Sequence, residues 1–497
     1  MARIAVGRVP AARAWVREVV STEILVGITA GAAAAYFATI GLLQYFSFHS
    51  YGWDLGLFDQ VLWNTAHGRW FEFSFRDYLY LGDHFQPVLL LLAPTALLGA
   101  GPVPLLAVQG FALGAAVIPL YFAARRLGGS ASAWCFVGAY LLGVAVARAL
   151  VYDFHPECFV PLLAFTSLWA LVADRTLVFV AACVGLLTLK EDMSLLVVAL
   201  CSVAWLGFGY RRTAGPMAAT AIAYSAVVSL VVIPHYVGVD TNPIQERYAY
   251  LGDNPAEMAL SAATRPDLLL GHLLRLSSLE ATFLVLAGTG FLPLMVPRLL
   301  PALALLLLEP FLAEHVAQQD LSQHYMLLPA SFAMVLAVLA LRSAFWNRLP
   351  LTVASDGRAS AVAGGLLLAC SISLFMAASP LPPSPVGDYE RFNVDRHSQV
   401  ADDFVSMIPH HVPVSVQATY VPHLTQRHDI YEFPRVLNAG WVLVDDNREV
   451  PKYDLTGFEE CVEDLPSLGF TVVREEDGIT LWHRDWAGNR PTDCITE

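Results

Sequence analysis

The chain has 497 residues, 56% of them hydrophobic and only 14% charged, with 29 basic against 43 acidic residues and a formal net charge of −14. That composition excludes an ordinary soluble enzyme and places the chain among polytopic α-helical membrane proteins. From Pro385 onward 21 acidic residues face 9 basic ones, so the membrane part is nearly neutral, the tail is acidic, and nucleic acid is excluded as a partner.

Arg3, Arg8, Arg13 and Arg17 precede an apolar run from Ile24 to Phe46. A cleaved signal peptide has an apolar core of only about 7–15 residues, so this run predicts an uncleaved first helix with a cytoplasmic N-terminus. The stretch from Trp53 to Pro87 follows, and carries Asp54, Asp59, Asp77, Asp83, His67 and His84 among Trp, Tyr and Phe. A solvated loop with aromatic anchors would explain one such carboxylate. Six ionisable groups beside a bilayer, where charge is expensive, point to a functional site. The first outer loop spans about 47–102, and Val88–Gly99, apolar but too short to cross, is expected to close it as a re-entrant or interfacial helix.

Apolar runs at 22–46, 103–124, 131–151, 158–173, 176–189, 193–209, 215–234, 281–297, 299–313, 325–341 and 360–378 predict about eleven transmembrane helices. With the N-terminus inside, thirteen basic residues fall inside and seven outside, from Arg69, Arg76 and Arg148 to Lys190, Arg247, Arg265 and Arg275. All fourteen histidines then fall outside or in the tail. The loop His235–Glu280 is expected to form short interfacial helices. A membrane domain over 1–379 ends at a proline-rich linker, 380–390, and 391–497 reads as a small extracytoplasmic α/β domain. Its strands are expected at 412–418, 429–433, 440–446, 470–475 and 479–484, and its helices at His397–Ile408 and Thr456–Leu468. Of seven cysteines, Cys461 and Cys494 lie in this tail and can pair in an oxidising compartment.

Four polar clusters interrupt the later apolar runs: YDFHPE (152–157, with Asp153, His155 and Glu157), KED (Lys190, Glu191, Asp192), EHVAQQDLSQHY (314–325, with Glu314, His315, Asp320 and His324) and PHLTQRHDIYEFP (422–434). KED alone reads equally well as a solvated hairpin, and His324 as a loop-carbonyl partner. His155 and Glu157 are residue types that ligate a divalent cation such as Mg or Mn, without diagnostic spacing. The convergence of all four on one face outweighs any single cluster.

Taken in order, DLGLFDQVLW, GDHFQP, DFHPE, KED, QHY and PHLTQRHDIYEFP resemble a family of predicted prokaryotic membrane proteins, domain of unknown function 2079. The resemblance covers nearly the whole chain. That family is similar in turn to the C-type (GT-C fold) glycosyltransferases, which take a sugar from a polyprenyl-phosphate donor. The resemblance implies a cytoplasmic N-terminus, an acidic first outer loop with interfacial helices, and an outer C-terminal domain. It also implies a lipid-linked sugar and an extracytoplasmic glycan, lipid or protein acceptor as partners. The oligosaccharyltransferase WWD signature is absent, and Asp54 and Asp59 are spaced more widely than a DxD or DE pair, so either can be the base.

Such a transfer needs a base to take the acceptor proton and positive charge near the departing phosphate. Asp54 and Asp59 can supply the first; Arg69, His84, Arg148, His155 and Lys190 can supply the second. Asp83, Glu157, Glu191, Asp192 and His324 complete the expected site, and His423, Arg427 and Tyr431 are the tail's candidates for acceptor or partner recognition. A transporter and a non-catalytic scaffold are the alternatives. Transport predicts ionisable groups near the bilayer midplane, where the clearest candidate is Glu309, close to a helix end.

Overall fold

The computed structural model describes residues 9–238, 247–319, 322–342, 358–448, 457–485 and 494. Helix α1 (Val9–Phe46) carries the first span. Phe48, in the left-handed region at φ 59°, turns the chain out of it, and a helical turn at Gly52–Gly56 leads into α2 (Leu57–Ala66). Gly110 and Gly114 of α3 (Val103–Ala115) lie against Ala38 and Ala34 of α1, so close that a Cβ at Gly110 would stand 2.6 Å from the Ala38 nitrogen. Small residues at helical spacing bring two membrane helices together in this way.

Helix α4 (Val117–Leu141) breaks at Gly129, φ 85°. There the chain doubles back: the Tyr121 and Ser130 hydroxyls are 2.9 Å apart, and the Tyr140 hydroxyl donates to the Leu113 carbonyl at 2.8 Å. Next come α5 (Val144–Leu150), α6 (Val160–Val172), α7 (Thr176–Leu187), α8 (Met193–Phe208) and α9 (Arg211–Val227), the last continued to Val237. After them stand α10 (Pro266–Leu273), α11 (Leu276–Ala287), α12 (Leu300–Leu312), α13 (Leu327–Ala340) and α14 (Arg358–Ala378).

Among the described residues five helices are long and apolar enough to cross a membrane, or six if α10 and α11, bent by 58°, form one span. The expected count of about eleven is not recovered. Helices α6, α7 and α8, at 13, 12 and 16 residues, are shorter than a full crossing. The segment 103–150 folds back on itself at Gly129, in the gap between the expected runs 103–124 and 131–151. Leu89–Leu98 is a short broken helix with Leu91, Leu97 and Leu98 exposed, as an interfacial segment requires. The loop after Val237 holds Pro255–Thr264 and α10, both short, and its residues 239–246 lie outside the described residues, as does Asp320.

In the tail, five strands stand where the alternation places them: β1 (Val414–Val416), β2 (Ile430–Glu432), β3 (Trp441–Asp445), β4 (Thr471–Glu476) and β5 (Ile479–His483), in the order β2-β1-β3-β5-β4. Neighbours of β1 run parallel to it and those of β5 antiparallel. Helices α15 (Arg396–Met407) and α16 (Phe458–Asp464) match the two helical stretches. The sheet has two different faces. Val442, Val444, Phe433, Phe458 and Phe470 form a core of the tail's own, whereas Val414, Val416, Leu443, Phe404 and Tyr420 join the core that continues into the membrane part. Cys461 and Cys494 form a disulfide.

Candidate active site

The ends of several helices meet on the face that carries the tail. Asp153, itself in the left-handed region at φ 66°, fixes the geometry there. Its buried carboxylate accepts from Gln44 Nε2 at 2.9 Å, the Ser50 hydroxyl at 2.6 Å and the Tyr51 amide at 2.9 Å, tying the end of α1 to the turn before α6. Burial pushes its carboxyl up to about 7, against the Ser50 hydrogen bond. Asp54, just beyond, is thereby held against the DFHPE turn.

A continuous polar chain runs from that point. Asp54 Oδ1 is 3.2 Å from His155 Nε2. The His155 ring stacks on His324 at 3.9 Å, with Tyr152 flanking both rings at 5.3 and 5.5 Å. His324 Nε2 is 3.7 Å from Glu157 Oε1, and the same oxygen accepts from Lys190 Nζ at 3.0 Å. Lys190 also stands 3.9 Å from Asp192 and over the Tyr325 ring. Beside it, Glu191 accepts from His84 Nδ1 at 2.8 Å and from the Phe85 amide at 3.1 Å. Thus GDHF, DFHPE, KED and QHY converge with Asp54, although they come from four separate parts of the chain.

The electrostatics of the cluster are uneven. Burial works against charge on Lys190, but Glu157 and Asp192 outweigh it and raise its pKa well above the ordinary value. Burial likewise raises Glu191, yet the His84 ring and Lys190 prevail and hold it down at about 2. For Asp192 burial prevails, with Glu191 repelling it as well, and its carboxyl rises to about 7. Four buried polar atoms of the cluster, His155 Nδ1, Glu157 Oε2, Asp192 Oδ1 and His324 Nδ1, have no hydrogen-bond partner within the described chain. Buried polar groups are nearly always paired, so these atoms mark where a polar ligand or water belongs. Among the described residues no three His, Cys, Asp or Glu side chains are spaced to hold a metal ion.

Other expected site residues lie elsewhere. Asp59 is fully buried on the opposite side of the loop, its carboxylate accepting from the Thr425 hydroxyl of the tail at 2.5 Å. Burial raises it from 3.8 to about 7, opposed by hydrogen bonds from Thr425 and Gln426. Arg69 stays within its own loop, donating to Asn64 Oδ1 at 2.9 Å and lying over Trp63. Arg148 is half-buried on α5, the helix that packs against the turn bearing His324. Asp83 is half-buried and interacts electrostatically with Arg247.

The three tail candidates are structural. His423 is buried between Tyr45 and Phe48, with ring centroids 4.2 and 3.8 Å away, and burial pushes its pKa down to about 3. Arg427 is buried and donates to the carbonyls of Leu424, Val412 and Pro409. Tyr431 is buried and donates to Asn438 at 2.7 Å. Arg427 and Tyr431 are thus engaged in folding the tail, while His423 stacks on the loop and keeps one buried ring nitrogen, Nε2, without a hydrogen-bond partner among the described residues.

Sequence reasoning left out Tyr152, Tyr325 and Arg247. Arg247 counted only as a loop charge, yet it interacts electrostatically with Tyr325, Glu309, Tyr248 and Asp83, and Tyr248 donates to Glu309 Oε1 at 2.7 Å. The one available signal was the run RYAY, which sets Arg247 between aromatic residues and the site's own loop.

A family model described as a predicted membrane protein (DUF2079) matches residues 44–481, and the chain belongs to that family. No curated protein sequence matches it. Among solved structures, ArnT from Cupriavidus metallidurans in the apo state is similar over 90% of this chain and 97% of its own, at 12% identity and a TM-score of 0.44. ArnT bound to undecaprenyl phosphate gives the same identity and coverages, 12%, 90% and 97%, at a TM-score of 0.41. The Archaeoglobus fulgidus oligosaccharyltransferase tethered to an acceptor peptide is similar over 92% of this chain and 74% of its own, at 14% identity and a TM-score of 0.45.

Proposed function

We propose that this member of the predicted membrane protein (DUF2079) family is a GT-C-type glycosyltransferase that moves a sugar from a polyprenyl-phosphate donor to an extracytoplasmic acceptor. The observation that carries the reading is the Asp54–His155 pair, set at the ends of membrane helices and continuous with Lys190. Asp54 is the group placed to act as base. It takes the proton of an acceptor hydroxyl as that oxygen bonds to the anomeric carbon, and the electron pair of the breaking C–O bond leaves with the lipid phosphate. His155 orients Asp54. Lys190 and His84 steady the phosphate, joined by Arg247 from the neighbouring loop.

Each of these cations already faces a carboxylate, so charge balance sets a condition. Asp54, Glu157, Glu191 and Asp192 outnumber Lys190, and a phosphate is accommodated only with further positive charge, such as Arg247 or a divalent cation, alongside. The Cys461–Cys494 disulfide supports an oxidising compartment for the tail, hence an extracytoplasmic site. Transport is the second reading, because a buried chain of ionisable groups also suits a proton-coupled carrier. The groups sit at helix ends rather than mid-span, which favours chemistry at the surface.

The test is release of polyprenyl phosphate from a polyprenyl-phosphate hexose or pentose by the purified chain in lipid nanodiscs, followed by mass spectrometry. Asp54→Asn is expected to stop it while lipid binding persists. Unchanged release by that variant would overturn the assignment.

A further inference from the structure

A second cavity, of about 560 Å³, opens between the first loop, the end of the Arg211–Val237 helix and the tail. Its volume falls in the range of small-ligand sites. We propose that it binds a neutral carbohydrate, the acceptor in the transfer reading, on which its role (though not its binding) rests. Phe73, Tyr78 and Tyr236 supply aromatic surface, and Glu72, Asp77 and Asp429 supply carboxylates against the single guanidinium of Arg76.

Carboxylates only accept hydrogen bonds, so they select a ligand rich in O–H donors. Arg76 and Arg435 balance two of them, and the one in excess disfavours phosphates and uronates, which separates this cleft from the Lys190 cluster. His428 Nδ1 is 2.6 Å from Asp429, its Nε2 is 3.7 Å from Glu72, and Arg435 holds Asp77 at 3.2 Å. Loop and tail thus share one polar rim. Each carboxylate uses one oxygen in these contacts, leaving the other for a ligand.

The cleft also lies beside the candidate catalytic group. Arg76 stands 4.6 Å over the Trp53 ring, and Trp53 directly precedes Asp54. The cleft and the candidate catalytic group thus share one segment of the first loop. The Gly82 backbone packs so tightly on Val237 that an added Cβ would lie 3.0 Å from its nitrogen, which fixes the floor relative to the wall.

Saturation-transfer NMR on the full chain in nanodiscs tests the assignment, with maltotriose as the neutral probe and trigalacturonate and glycerol 3-phosphate as anionic ones. Maltotriose is expected to show transfer and the two anions none. Glu72→Gln combined with Asp429→Asn should weaken maltotriose by about tenfold or more, as should Tyr78→Ala. Asp54→Asn should bind it normally, so loss of the catalytic reading and loss of the cleft are separate results. Equal binding of trigalacturonate, or maltotriose binding untouched by the conservative double variant, would overturn the proposal.

Discussion

Asp54 and Asp59 stand within a short helical stretch of the same loop, yet their surroundings are opposite. Asp54 meets His155 among the ends of α6, α8 and α13, in a cluster with unpaired buried polar atoms. Asp59 meets Thr425, in an interface closed by apolar contacts and hydrogen bonds such as those from the Gln60 side-chain amide to the His428 and Arg427 carbonyls. What separates the two is the partner: a histidine joined to further ionisable groups for Asp54, a hydroxyl of the docked tail for Asp59. Two nearby carboxylates in a sequence therefore mark a functional region without saying which of them does chemistry, because partners distant in sequence decide that.

The largest effect expected from this contrast is catalytic. Asp54→Asn should lower transfer by about 10²–10⁴-fold, the usual worth of a general base, while Asp59→Asn, in a docking contact, should stay within about tenfold of the unmutated rate. Single-turnover release of polyprenyl phosphate measures both. Equal losses would break the comparison.

Next in size is the stability of the polar side. Lys190→Met leaves Glu157 buried without its ion pair, at a cost of roughly 3–5 kcal/mol, and Glu157→Leu added to it should recover most of that. Thermal unfolding in detergent reads the difference, and a silent Lys190→Met would show that water reaches Glu157 freely.

The tail side should respond to shape instead of charge. A Cβ at Gly56 would lie 2.8 Å from a Val421 methyl, so Gly56→Val should loosen the tail by about 1–3 kcal/mol. Limited proteolysis near the linker at 380–390 should speed up, with unfolding of the membrane helices unchanged. If the whole chain destabilises instead, loop and tail do not separate in this way. The proposal that the tail folds alone meets the same test, since half its sheet shares a core with the membrane part.

Much of this was legible in residues read locally. The alternation in VPVSVQA, GWVLVDD and ITLWHR placed three strands, and the charges of KED and DFHPE marked two corners of the cluster. What local reading missed has physical reasons. A hydrophobic run states that a helix is buried in lipid or protein but not how long it stays straight, so the run 281–297 reads as one span although its helix, Leu276–Ala287, ends within it. The break at Gly129, by contrast, falls in the gap between the expected runs 103–124 and 131–151. His423 and Arg427 are polar and look like recognition residues; their burial depends on Phe48, Tyr45 and the Pro409 and Val412 carbonyls, none of which is a sequence neighbour. Asp59 differs from Asp54 through Thr425 and His155, both distant in sequence.

The smallest expected effect is a pH dependence of tail docking, and it isolates Asp59. With the tail docked, burial holds the Asp59 carboxyl at about 7; with it undocked, the carboxyl returns toward 3.8. Between those values the docked state holds one proton more, so docking weakens as pH rises through that window, by up to roughly tenfold per unit. Below it the contribution is fully present, and above it the contribution is lost. The distance distribution between spin labels on the exposed Leu276 and Asp403 should accordingly show more undocked chain at pH 8 than at pH 5. Asp59→Asn should flatten the profile. Thr425→Val removes a hydrogen bond that favours the ionised form, and should move the midpoint upward. A flat profile in the unmutated chain would mean that Asp59 keeps its hydration when docked, and that its burial against the tail is not what separates it from Asp54.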